Sequence, residues 1–193
     1  GSISITMTLI GILLTALVVA REWERGTMEA LLSTQAKKID IVLGKYIPYF
    51  VLGMTSMFFN VFLCVGIFKV PFRGNYLILF AVSALFLFTL LGVGLTISSK
   101  LKNQFLASQV SLGIGFLPAL MLSGLMFPIN SMPKIFQLLT GILPPRYFIT
   151  FIESEFMAGT IWQVVLINAV FLTVLGILLF ILFYKSTDMR IVK

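Results

Sequence analysis

Ile161–Tyr184 reads IWQVVLINAVFLTVLGILLFILFY, without a charged residue from end to end. A bilayer core of roughly 30 Å is crossed by about 20 apolar residues in helical form. In lipid a continuous segment satisfies its own backbone hydrogen bonds only as a helix. The stretch therefore predicts a transmembrane helix. Four others qualify: Ile3–Ala20, Tyr46–Phe68, Tyr76–Ser98 and Phe105–Phe127. The whole chain agrees, with 59% of its 193 residues hydrophobic and 11% charged, where a soluble domain carries about a quarter charged. The fold class is all-α integral membrane, a polytopic bundle of five spans forming one transmembrane domain over residues 1–193.

Charge gives the orientation. Arg21, Arg25, Lys37, Lys38, Lys45, Lys100, Lys102, Lys185, Arg190 and Lys193 fall on one side, and Lys69, Arg73, Lys134 and Arg146 on the other. Basic residues collect in cytoplasmic loops, so the 21–45 loop, the 100–102 loop and the C-terminus are expected in the cytoplasm. The same rule accounts for the net charge of +7 without invoking nucleic acid. The first residues are then external, and the 3–20 span has neither an initiator Met nor a basic segment before it, so it is not read as a signal peptide. A preceding span is expected.

The connection at 128–158 stays apolar but is broken by Pro128, Pro133, Pro144 and Pro145. Asn130 or Ser131 is expected to cap a short helix with Pro133 in its first turn, ended by Gly141. A second helix is expected over Arg146–Ala158, stopped by Gly159. Neither is long enough to span. Together they read as a re-entrant or interfacial hairpin, the alternative being an amphipathic loop on the outer leaflet.

Several chemistries are excluded. The chain lacks histidine and any Cys/Asp/Glu cluster, the usual ligand sets for a metal, and lacks a GxxxxGK[ST] phosphate loop. No catalytic residue and no metal ligand is assigned. Cys64 reads as packing. Acidic and basic residues sit at span ends or in loops, and the spans offer only hydroxyls and amides such as Thr15, Thr55, Asn60, Thr89, Gln109 and Asn168. Ion-coupled carriers keep ionisable relays inside the membrane. Energy is therefore expected from another subunit.

Two patterns remain. Ala107, Ser111, Gly115, Ala119 and Ser123 recur every fourth residue along the 105–127 span. Small residues at that spacing allow close helix approach, either within the chain or at a subunit interface or translocation pathway, and Pro118 predicts a kink. In the 21–34 loop, REWERGTMEALLST, Thr27 is expected to cap a short helix over about 26–34. Glu29 lies at its positive end, with Met28, Leu31 and Leu32 on one face. A helix lying on anionic lipid favours a basic polar face; here Glu22, Glu24, Glu29 and Asp40 interleave with the basic residues, which favours a protein partner.

These motifs resemble the permease subunits of type 2 ABC exporters: REWERGTMEALLST after a span, LGKYIPYF (43–50) opening the next, and LSGLMFPINSMPKIFQLLTGILPPRYFI (122–149) before the last. The resemblance covers nearly the whole chain. It departs at Gln35, where relatives often have proline. It implies a six-span permease, of which the first span and any N-terminal extracytoplasmic domain precede this sequence. It implies that Arg25, Gly26, Thr27, Met28, Glu29, Ala30, Leu31 and Leu32 form a coupling helix that sits on a cytoplasmic ABC ATPase. ATP and Mg would bind to that ATPase and no cofactor to this chain. A second permease, identical or different, completes the transporter, with the 3–20 and 105–127 spans at the dimer interface or substrate route. The expected setting is a bacterial or archaeal plasma membrane, and the expected activity is ATP-driven export, with no enzymatic chemistry in this chain. An aromatic and hydroxyl-bearing interior suits amphipathic or lipid-like drugs. The rival readings are an ATPase-independent channel or carrier, and a non-transporting membrane scaffold.

Overall fold

A computed structural model describes residues 2–122 and 126–187. Among them there is no strand, and four helices are long and apolar enough to cross a membrane. In chain order the helices are α1 (Ile3–Glu24), α2 (Thr27–Leu32), α3 (Lys38–Ile67), α4 (Tyr76–Leu101), α5 (104–122), α6 (Lys134–Thr140), α7 (Pro144–Met157) and α8 (Trp162–Ser186). The four candidate spans are α1, α3, α4 and α8, and the bent pair α6–α7 makes a fifth if counted as one. The fourth predicted span, 105–127, is helical only over 104–122 as α5, which is not among those four; Met126 and Phe127 lie in a bend, and residues 123–125 lie outside the described ones.

The centre of the bundle is α4. It is apolar on all sides, as a helix surrounded by protein is, and packs against α1, α3, α7 and α8. Asn75 caps it, its side chain accepting the Leu77 N–H at 2.9 Å. Phe86 of α4 stacks on Phe148 of α7 with ring centroids 4.0 Å apart. The Thr89 hydroxyl donates across to Leu172 O of α8 at 2.9 Å, and the Ser99 and Ser186 hydroxyls meet at 2.6 Å. A Cβ on Gly176 would stand 2.9 Å from Phe88 Cδ1, so glycine is what lets α8 approach α4 this closely. Two interior hydroxyls are satisfied within their own helix, Thr8 by Ser4 O and Thr15 by Gly11 O, whereas those of Ser83, Thr96 and Ser111 are buried without a partner among the described residues.

Two helix limits and one internal turn stand out from expectation. The second span begins at Lys38 rather than Tyr46, because its first turns bury Ile41 and Val42 and Lys45 finds a partner there. The first runs on to Glu24. Helix α5 contains a wide π turn at Ser111–Phe116 immediately before Pro118, whose ring cannot tolerate the carbonyl four residues back in regular α geometry.

The prolines build the hairpin in a different way from that expected. Asn130 and Ser131 belong to a 3-10 turn, and Pro133 itself occupies the cap position of α6. Helix α7 starts at Pro144, two residues before Arg146, since first-turn residues need no N–H of their own. The two helices bend by 81°. Arg146 Nη1 locks the bend by donating to Thr140 Oγ1 at 2.7 Å and Gln137 O at 3.2 Å, and Tyr147 Oη donates to Gly141 O at 2.9 Å. Helix α6 leaves Ile135 and Leu138 exposed, whereas α7 buries Phe148, Phe151 and Ile152 in the bundle. The segment is thus a helical hairpin with one arm embedded in the bundle.

Candidate docking helix and its connections

The short helix α2 hangs from the basic end of α1. Gly26 makes the joint with φ +68°, a left-handed conformation that side chains disfavour. Gly26, not Thr27, is the N-cap; Thr27 is the first helical residue, and its hydroxyl turns back to Glu22 O at 3.3 Å. The helix ends where Ser33 Oγ and Thr34 Oγ1 donate back to Ala30 O and Leu31 O, at 2.6 and 2.7 Å. Side chains that bond the backbone locally are poor helix continuers, so α2 stops two residues before the predicted end at 34.

The eight residues singled out in this loop divide sharply. Met28 is buried, at 1% exposure, and Leu31 and Leu32 are half-buried, so the apolar face turns toward the bundle. Arg25, Gly26, Thr27, Glu29 and Ala30 are exposed. The face left free is small, polar and of both charge signs. Glu29 lies in the first turn, where the helix dipole favours an acid.

The chain just before α2 is tied to three neighbouring helices. Glu22 forms an ion pair with Lys45 of α3. The Ala20 N–H donates to Ser98 Oγ of α4 at 2.8 Å. Glu24 accepts from both the backbone N–H and the side-chain amide of Gln104 on α5, at 2.8 and 2.6 Å, while Arg21 Nε donates to Gln104 Oε1 at 3.4 Å. Lys102 Nζ lies 4.0 Å from the Trp23 ring centroid, within cation–π range. None of these partners was singled out from sequence, because each lies far along the chain from the loop it holds.

The small-residue stripe is used inside the chain. Ala107 and Ser111 are fully buried, and Gly115 is buried where a Cβ would lie 2.9 Å from Ile12 Cγ2 of α1. The described stripe thus seats α5 on the first span, and Phe105, Leu106, Leu112 and Leu117 of the same helix are exposed instead. The Ala119 side chain and Ser123 lie outside the described residues.

One acidic residue lies deeper than expected. Glu155, on the embedded arm α7, is fully buried; Oε2 accepts the Asn75 N–H at 3.0 Å and the Thr160 hydroxyl at 3.2 Å. Burial of Glu155 was not expected, although the residue stays near the end of α7, beside the turn that enters α4. A signal was present: Phe148, Phe151, Ile152 and Glu155 follow the i, i+3, i+4, i+7 spacing of one helix face.

Comparison with known proteins adds independent information. Residues 1–185 match the family described as ABC-2 family transporter protein. The chain is 48% identical over 191 residues to the probable multidrug ABC transporter permease YbhS of Escherichia coli (strain K12), covering 99% of this chain and 51% of that protein. It is 30% identical over 176 residues to the probable multidrug ABC transporter permease YbhR of the same organism, covering 84% and 46%. It is 26% identical over 170 residues to ABC transporter G family member 20 of Dictyostelium discoideum, covering 88% and 23%. The chain thus spans about half the length, or less, of the curated relatives it matches. No solved structure matches it.

Proposed function

The chain belongs to the ABC-2 transporter family, and from that membership we propose that it is the membrane-spanning part of an ATP-driven exporter whose ATPase is a separate ABC subunit. The observation that carries this reading is α2, a short helix with its apolar face turned inward and an exposed face of mixed charge. A nearly balanced face suits a protein groove better than an anionic lipid surface. The anchoring of residues 20–24 to α3, α4 and α5 supports a role in receiving force.

In this reading the basic end is cytoplasmic and the C-terminus lies there. The setting is a bacterial or archaeal plasma membrane. ATP and Mg bind to the ATPase, and this chain performs no covalent chemistry. ATP-driven closure of two ATPases moves α2, and the helices rearrange to alternate access. A second permease, identical or related, completes the assembly; similarity to both YbhS and YbhR is compatible with either. The cargo class is an amphipathic or lipid-like drug, in keeping with the word multidrug in both relatives' names.

The test is affinity purification of the full-length protein from native membranes under conditions that keep membrane complexes intact. Recovery of an ABC ATPase whose hydrolysis rate responds to amphipathic compounds is the expected result. Absence of any ATPase, or transport by the permease under an ion gradient alone, overturns the proposal.

A further inference from the structure

We propose that Glu24 is the positioning residue through which movement of α2 reaches α5. This rests on the docking reading above. Glu24 is the last residue of α1, and only Arg25 and Gly26 separate it from α2. Its carboxylate accepts the Gln104 backbone N–H at 2.8 Å and the Gln104 side-chain N–H at 2.6 Å. Hydrogen bonds to an ionised carboxylate are roughly twice as strong as neutral ones.

What this carboxylate grips sets it apart from the other ties. Gln104 is the first residue of α5, and the amides at a helix N-terminus carry partial positive charge. Glu24 therefore holds the main chain and the dipole end of α5, and any displacement of Glu24 acts on the helix as a body. The Glu22–Lys45 pair and the Ala20–Ser98 bond instead fix α1 to α3 and α4.

The second contact between α1 and α5 turns this grip into a lever. Gly115 seats against Ile12, about 16 Å along α5 from Gln104 at 1.5 Å per residue. The π turn Ser111–Phe116 surrounds that contact, and π turns inside helices are frequent at functional sites. A shift at Gln104 then tilts the first turns of α5 about the Gly115–Ile12 contact. Ala107 and Ser111, buried on the intervening arm, are the residues whose surroundings change.

The test uses the full-length permease assembled with its ATPase in liposomes, with Cys64 and any other cysteine of the complex replaced by serine and Ser111→Cys as probe. Thiol labelling is compared with and without a non-hydrolysable ATP analogue. In the otherwise wild-type complex, nucleotide is expected to change the labelling rate. In Glu24→Ala, the ATPase remains bound and hydrolyses ATP, while the nucleotide effect on labelling falls at least about tenfold, since both charge-assisted hydrogen bonds to Gln104 are lost. Gln104→Ala, which keeps its backbone N–H, is expected to lose less, and Glu24→Asp to restore part of the response. Glu24→Gln, similar in shape and uncharged, serves if Glu24→Ala does not assemble, with a smaller loss expected. A responsive wild type alongside an equally responsive Glu24→Ala or Glu24→Gln overturns this inference alone. A wild-type complex whose labelling ignores nucleotide overturns the docking reading as well.

Discussion

Lys45, with its side chain only 7% exposed, forms an ion pair with Glu22, which is 33% exposed. The pair joins the end of the first span to the second turn of the next helix and so fixes the root from which α2 projects. Removing one partner of a buried pair costs about 3–5 kcal/mol, and less where a partner is partly solvated. Glu22→Ala, which strands the buried ammonium, is expected to lower stability by about 2 kcal/mol. Lys45→Met, which keeps the stem and removes the charge, is expected to cost under about 1 kcal/mol. Thermal unfolding of the detergent-solubilised protein reads the difference, and a larger loss in Lys45→Met than in Glu22→Ala would refute the account.

The division of α2 into two faces predicts opposite phenotypes for adjacent residues. Glu29 is exposed and Met28 is 1% exposed. Glu29→Lys is expected to cost no more than about 1 kcal/mol, the scale of a helix-dipole interaction at an exposed site, yet to reduce ATPase recovery. Met28→Ala is expected to destabilise by about 2–3 kcal/mol through the cavity it leaves. Parallel measurement of melting temperature and co-purified ATPase separates the two; full ATPase recovery with Glu29→Lys argues against docking on this face.

Gly115 predicts a steric result with its own suppressor. A Cβ there would stand 2.9 Å from Ile12 Cγ2, inside normal contact distance. Gly115→Ala is expected to cost about 1–3 kcal/mol, the range for overpacking. Ile12→Ala, which removes the opposing methyl groups, is expected to recover part of that cost in the double variant, whereas independent sites would simply add. Additive losses in the double-mutant cycle would mean that the α1–α5 seam does not close at this pair.

The membrane helices were legible because apolar length is a local property, and Trp162–Ser186 differs from the expected 161–184 only at its ends. Lys38–Lys45 was not legible as helix, since its charges signal a loop and the partner that admits Lys45 lies 23 residues earlier. The four-residue recurrence of Ala107, Ser111 and Gly115 announced close packing but not against what, because periodicity names a face and not its neighbour. The contacts around residues 20–24 were hidden for the same reason: Gln104 lies 80 residues from Glu24. Glu155 was hidden differently, by giving its charge more weight than its place on the face of Phe148, Phe151 and Ile152.

That buried acid carries the last prediction. The Glu155 carboxylate lies against Gly74, where any Cβ would overlap Oε2. The same oxygen accepts the Asn75 N–H at 3.0 Å and the Thr160 hydroxyl at 3.2 Å. One side chain therefore straps the end of the embedded arm α7 to the entry of α4. Gly74→Ala is expected to displace the carboxylate and release the Asn75 amide, as is Glu155→Ala. Glu155→Gln, whose amide oxygen still accepts, is expected to keep most of the strap. Hydrogen exchange at Asn75 reports the bond directly: loss of one such hydrogen bond corresponds to about tenfold faster exchange. Protection at Asn75 that survives Glu155→Ala would show that the loop is held by Thr160 alone, whose hydroxyl lies 3.2 Å from the same N–H.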